Sequence, residues 1–335
     1  MLKTLLLLSP FVLSDAFFTQ ITDAIHLGDD VYVVSTLSGD YHAHVFDAKS
    51  DTISRSIIRN GAGPEEARGI KHVADCGDDT VVFMSPGGKV LHYSYGLEFI
   101  AEYQTIYIST NSLHCNKGRL TLGYTSFFRS EQLQTDEKFI VGVAMDLGNI
   151  KEVTEIRLRG SDLYLGPKLR FNNLPILGIE FFVAETDPET YLIAIKGSPI
   201  IYLKGEELIT YKFEDEMLAK SGHVEIRRDG YYGQRNGAVN LNWQTNSVED
   251  ETVWRFYFGS DNSIRSESEK MPFGYLEVDT ESGLAEDYKL FDDLIQQNLS
   301  ELEYHYTSVK GENTALLFRG FDLNANYIYL TEKFD

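Results

Sequence analysis

Residues 21–35 read ITDAIHLGDDVYVVS, and residues 71–84 read KHVADCGDDTVVFM. Each is a short apolar run, the turn Gly-Asp-Asp, and a second run dense in valine. The turns are Gly28-Asp29-Asp30 and Gly77-Asp78-Asp79. Glycine and aspartate tolerate the left-handed backbone of a tight hairpin, and β-branched residues suit pleated strands. In both places two more strand-like runs follow: His44–Asp47 and Thr52–Ile58 after the first, Val90–Ser94 and Glu98–Gln104 after the second. The reading is a four-stranded meander, repeated.

The same order continues downstream in looser form. Second strands of successive units begin at residues 31, 80, 119, 190, 252 and 314, after turns that include Lys117-Gly118, Asp187-Pro188-Glu189 and Gly311-Glu312-Asn313. No amphipathic helix pattern intervenes. Four-stranded sheets repeated radially protect one another's edges. The expected fold is therefore all-β: a single β-propeller of six blades, each of four antiparallel strands, over residues 17–335. Composition agrees, with 13% aromatic residues, 20 of them Tyr and 20 Phe, and enough apolar content (43%) for a large core. A net charge of −21 makes nucleic acid and anionic membranes poor partners, because phosphates need Lys and Arg to neutralise them.

Aligning the units places Leu27, Cys76 and Cys115 in one slot. A slot that accepts Leu or Cys is a buried apolar position, so two free core thiols are expected rather than a bridge. Beside it stand His26, Asp75, His114 and Glu185. These are either a polar ring near the channel or strand-end residues bonded to neighbouring backbone and water. The second is the expectation, and no metal or cofactor is assigned.

Residues 1–16, MLKTLLLLSPFVLSDA, support two readings. One Lys, an apolar run from Leu5 to Leu13 and the small residues Ser14 and Ala16 resemble a secretory leader, too short to span a bilayer. Alternatively, Thr4–Leu13 supplies the outer strand that the last unit lacks after Asn326–Lys333.

The string Arg59-Asn60-Gly61-Ala62-Gly63-Pro64-Glu65-Glu66 follows the first outer strand. It resembles the Gly-x-Gly-Pro-Gly-Glu signature of six-bladed, TolB-like β-propeller proteins of Bacteroidota and their relatives, with Glu65 in place of the third glycine. Val253–Tyr257 also resembles a late strand of such proteins. The resemblance implies an exported bacterial protein, periplasmic or at the cell surface. Physically the string is a crossover turn: Gly61 and Gly63 permit positive φ, Pro64 fixes the chain, and Glu65 and Glu66 can accept backbone N–H groups.

Long connections are the expected seats of function. Four stand out, at Thr125–Lys138, Arg159–Ile179, Glu214–Gly237 and Gly259–Gly274. They carry Arg170, Arg227, Arg228, Tyr231, Tyr232, Arg235 and Arg265. Arg offers planar paired donors to carboxylates, and Tyr offers stacking area, so these residues are candidates for binding an anionic or carbohydrate-like ligand or a partner's acidic loop. No catalytic serine elbow, paired metal-binding histidines or phosphate loop is present. The expected function is non-catalytic binding. A calcium-dependent lactonase-type hydrolase and a structural scaffold of an envelope complex are the alternatives.

Overall fold

The computed structural model describes residues 11–13, 21–28, 31–36, 38–47, 52–108, 110–128, 135–163, 177–195, 200–212, 224–226, 232–234, 242–246, 253–258, 274–282, 284–285, 289–290, 302–309, 313–320 and 326–332. After a short strand β1 (Phe11–Leu13), the first meander is β2 (Ile21–Gly28), β3 (Val31–Thr36), β4 (Tyr41–Asp47) and β5 (Thr52–Arg59). The second is β6 (His72–Gly77), β7 (Thr80–Met84), β8 (Lys89–Ser94) and β9 (Phe99–Gln104). The third comprises β10 (Thr110–Asn116), β11 (Arg119–Phe128), β12 (Lys138–Asp146) and β13 (Asn149–Arg159). The fourth comprises β14 (Leu177–Asp187), β15 (Thr190–Ile195), β16 (Ile200–Lys204) and β17 (Leu208–Lys212).

A small hairpin follows, β18 (Val224–Ile226) with β19 (Tyr232–Gln234). The next sheet holds β20 (Asn242–Asn246), β21 (Val253–Phe258), β22 (Gly274–Asp279), β23 (Leu284–Ala285) and β24 (Lys289–Leu290). The last holds β25 (Leu302–Val309), β26 (Asn313–Gly320) and β27 (Asn326–Glu332), with β1 antiparallel on β27.

These meanders are arranged as a β-propeller. The first strand of one sheet lies against the first strand of the next: β2 on β6, β6 on β10, β10 on β14, β20 on β25, and β25 on β2. Side-chain and backbone bonds show that neighbouring inner strands run in the same direction. Thr22 Oγ1 donates to Ile70 O near their beginnings (2.6 Å), and Lys117 N donates to Cys76 O near their ends (2.7 Å).

Packing between sheets explains the valine-dense second strands. Val81 and Phe83 of β7 pack with Ile25, Val33 and Val45 of the first sheet, while Val82 and Met84 pack with Leu120, Leu122 and Val143 of the third. A strand buried on both faces has no use for alternation, so it reads as a continuous apolar run. Outermost β9 alternates instead, presenting Ile100, Glu102 and Gln104 to solvent. The turns follow their residues. Asp78 and Asp79 sit at φ of 48° and 56°, and Lys117 and Gly118 at 48° and 75°, the all-positive pattern of a type I′ hairpin.

Two sequence expectations about this region are corrected. Cys76 and Cys115 are not free thiols: they form a disulfide across β6 and β10, with Cα atoms 4.5 Å apart. Equivalent positions on adjacent sheets are far apart at the rim, but inner strands converge on the axis, so the shared slot brings the two residues together. Their burial was read correctly, at 1% and 4% exposure.

Second, Gly61 and Gly63 are not at positive φ. They leave room: a Cβ at Gly61 would collide with the Glu66 carboxylate, and one at Gly63 would crowd it. That carboxylate accepts Gly63 N at 2.8 Å, and Lys89 Nζ closes the loop by donating to the carbonyls of Gly63 (2.8 Å) and Glu66 (2.9 Å). The left-handed residue is Glu65, at φ 59°, in the position where the signature has its third glycine.

Two stability measurements follow. The bridge closes a loop over a sequence separation of 39, for which chain entropy gives about 4 kcal/mol. Reduction should lower unfolding free energy by about 3–4 kcal/mol, and a C76A/C115A variant should show no further response to reductant. Glu65→Gly should raise stability by about 1 kcal/mol, because a Cβ in the left-handed region costs roughly that amount. Guanidinium midpoints at constant slope would read both effects.

Candidate functional site

Antiparallel meanders put the first-to-second-strand and third-to-fourth-strand turns on one face of the propeller. The opposite face, here the crossover face, carries the second-to-third-strand connections and the crossings between sheets. On the turn face, the slot residues do not form one ring. Asp75 accepts Gly77 N at 2.8 Å and the Tyr95 hydroxyl at 2.7 Å, and burial raises its pKa to about 6. The His114 ring packs on Trp254 of β21, with centroids 5.4 Å apart, and burial lowers its pKa to about 4. Glu185, only 3% exposed, accepts Arg119 Nε at 2.6 Å and Glu189 N at 3.2 Å; burial still pushes its pKa upward. The His26 side chain lies outside the described residues. Among those described, no three His, Cys, Asp or Glu side chains gather to hold a metal ion.

Sequence reasoning missed the Arg119–Glu185 pair, which joins the third sheet to the fourth, with Asp146 as a second partner of Arg119 at 3.4 Å. Glu185 was visible as a slot residue. A cation at the start of the neighbouring second strand was the available signal. The interface beside it is unusually close. Gly123 and Gly142 stand opposite each other on β11 and β12, where a Cβ on either would strike the backbone of Phe181 or the side chain of Val183.

The crossover face differs in character. Here two expected loops prove to be strand at their bases. Thr125–Phe128 of β11 leave the third sheet's register and pair with Leu177–Glu180 of β14, fusing the third and fourth sheets. Phe127, on this extension, is 69% exposed. The crossing from β9 to β10 exposes Ile106 (85%) and Ile108 (57%) while Tyr107 turns inward onto Tyr124, rings 5.5 Å apart. Tyr41, where β4 begins, is exposed on the same face.

Of the arginine and tyrosine candidates, Arg170, Arg227, Arg228, Tyr231, Arg235 and Arg265 lie outside the described residues. Tyr232 opens β19, opposite Ile226, in a hairpin inside what was expected to be a loop. Among the described residues, no helix is long and apolar enough to cross a membrane, which leaves strands out of account.

No protein-family model and no curated protein matches the chain. Among solved structures it is similar to the β-propeller domain of Cps50 (Swd1) from Myceliophteria thermophila, at 9% identity and a TM-score of 0.46, over 96% of this chain and 99% of that one. It is also similar to U3-55K (9%, TM-score 0.47, 92% of this chain and 76% of that one). A third is the WD40 β-propeller domain of Doa1 (9%, TM-score 0.45, 96% of each).

The His114–Trp254 contact gives a direct optical test. A histidine whose folded pKa is depressed binds fewer protons than the unfolded chain between about pH 4 and 6.5. Its contribution to stability is therefore lost as pH falls from 6.5 and is fully lost below about 4. Trp254 emission should be quenched by imidazolium with a midpoint near 4 rather than 6.5. His114→Gln should abolish that step and flatten stability over the same window. His72, also lowered to about 4 by burial, adds the same sign, and Asp75 opposes it by gaining stability as pH falls through 6.

Proposed function

We propose that the chain is an exported, six-bladed, TolB-like β-propeller that binds a protein partner across its crossover face and catalyses nothing. The observation that carries this is the exposure of Ile106, Ile108 and Phe127 together on that face, at 85%, 57% and 69%. Burying such residues against a partner removes apolar surface from water, while leaving them bare in a monomer gains nothing. The arginine-rich connections Arg159–Ile179 and Glu214–Gly237 leave from the same face, since each follows the outer strand of its sheet. Arg170, Arg227, Arg228 and Arg235, with Tyr231 and Tyr232, would then meet carboxylates around the partner's apolar centre. Arg265 lies in sequence between β21 and β22.

Six blades are supported by the meanders β2–β5, β6–β9, β10–β13, β14–β17 and β20–β24, with β25–β27 and β1 as the sixth. Export is supported by the Cys76–Cys115 bridge, because disulfides persist in oxidising compartments and are rare where thiol reductants dominate.

The test is cross-linking and mass spectrometry in the native host, comparing the wild type with an I106D/I108D/F127D variant and an I209D control. Ile209 is also exposed, at 43%, but lies on the outermost strand β17. The crossover variant should lose its cross-linked partner by at least about tenfold, as expected when anchors at an interface centre are charged. The control should keep it. An R227A/R228A/R235A variant should weaken capture mainly at low salt. Equal capture by all four proteins would overturn the proposal.

A further inference from the structure

The exposed isoleucines of the β9–β10 crossing stand on backbone that is clamped from beneath. Between β7 and β8 runs the turn Ser85-Pro86-Gly87-Gly88. Gly88, at φ 79°, leaves the space in which the crossing lies: a Cβ there would stand 2.6 Å from Thr105 O. Thr105 N donates to Gly88 O at 2.9 Å. The Gln104 side-chain amide donates to Gly87 O (2.9 Å) and Thr105 O (3.0 Å), tying the turn to the crossing. Tyr107 N donates to Thr105 Oγ1 at 3.2 Å, and the Tyr107 ring lies against Tyr124. Further along, Lys71 Nζ donates to Thr110 O. The segment is thus fixed before, between and after Ile106 and Ile108, the two side chains it holds out at 85% and 57% exposure. In a chain of net charge −21, no Asp, Glu, Lys or Arg occurs from Tyr103 to Asn116 or from Ser85 to Gly88.

We infer that Ile106 and Ile108 are a pair of rigid knobs whose partner is a folded protein with an uncharged, two-pocket socket, and not an extended peptide. This rests on the reading of the crossover face as an interface and says what occupies it. A projecting side chain leaves water only when concave walls close around it, as at the packed centre of an interface. Walls of that kind need a folded partner, whereas an extended peptide fits a groove that this face would have to supply. Alternate residues of an extended segment lie about 6–7 Å apart on one side, which sets the separation of the two pockets. The match of charge is that of an uncharged knob to uncharged walls, because a charge buried against isoleucine loses its water without gaining a partner. A clamped segment also loses little freedom on binding, so the socket meets knobs already in place. Gln104 is the positioning residue: its amide holds the crossing on the Gly87-Gly88 turn.

A benzophenone amino acid placed at position 106, then at position 108, marks on irradiation in the native host the partner residues that each knob meets. The marked partner is purified and its binding to the unaltered chain compared when intact, heat-unfolded and digested with trypsin. Intact partner should bind at least about tenfold more tightly than the unfolded or digested forms, since pockets exist only in the fold. Marks from the two positions should fall on uncharged residues that are distant in the partner's sequence. Gln104→Ala should speed amide exchange at Ile106–Ile108 by about tenfold and leave the thermal midpoint unchanged. With both isoleucines still in place, it should weaken binding of the intact partner by about three- to tenfold. Equal binding of the digest would overturn the inference, as would marks on a second copy of this chain or unchanged binding by Gln104→Ala. The I106D/I108D/F127D variant separates the two readings. A partner that it retains removes the interface itself, whereas a partner that it loses but that binds equally well as a digest removes only the socket.

Discussion

Among the described residues, the first strands β2, β6 and β10 each pair with a strand on one side only, and groups from the neighbouring sheet meet their inner edges. A buried backbone N–H without an acceptor costs as much as a lost hydrogen bond or more. The preceding sheet supplies what is needed. Asp23, 3% exposed, accepts Val73 N at 2.8 Å and Ala24 N at 2.7 Å, so one carboxylate serves both its own strand and the next. Two sheets further, the Ser112 hydroxyl accepts Val183 N at 3.1 Å. Between those two junctions Lys117 N donates to Cys76 O, and the disulfide locks the same pair of strands covalently. A buried carboxylate is tolerable where it accepts several N–H donors, which explains an otherwise expensive Asp23 in a core.

That arrangement also shows which parts of the fold local sequence could disclose. The Gly-Asp-Asp and Lys-Gly turns are set by backbone preferences of two or three residues, so they were legible, and with them the meander. The continuous apolar character of TVVFM was legible for the same reason: burial on both faces removes the need for alternation. The disulfide was not, because it depends on how closely two inner strands approach at the axis, across a separation of 39 residues. The apolar slot was readable from alignment of the units; its convergence was not. Asp23 and Ser112 likewise look like ordinary strand residues until the neighbouring sheet is in place.

Site features divide along the same line. Glu185 stood out by position in the repeat, yet its partner Arg119 lies 66 residues away and no local pattern joins them. The extension of β11 into Thr125–Phe128 passed for loop because a polar stretch follows it, although Phe127 and Phe128 are strand-forming residues and could have argued for continuing the strand. The arginines were chosen because long polar connections concentrate function. The exposed Ile106 and Ile108 escaped notice because exposure at a crossing is a property of the tertiary fold. Alternation of Ile106 and Ile108 around an inward Tyr107 is nevertheless a period-two pattern, and it marks an extended segment with one face left outward.

In the Glu65 loop a left-handed backbone carries a glutamate rather than a glycine. The compensation lies around it. Glu66 fills the space that Gly61 and Gly63 leave, and Lys89 is anchored by two carbonyls of the loop and by Glu102 at 2.9 Å. Glu102 also accepts Glu65 N at 3.2 Å, so the strained residue is held through its main chain by the neighbouring outer strand. Its own side chain is therefore free to vary, whereas a side chain at Gly61 would have to displace the Glu66 carboxylate from its bond to Gly63 N. In this loop what is constrained is space and main-chain bonding, and side-chain identity matters only where it fills that space.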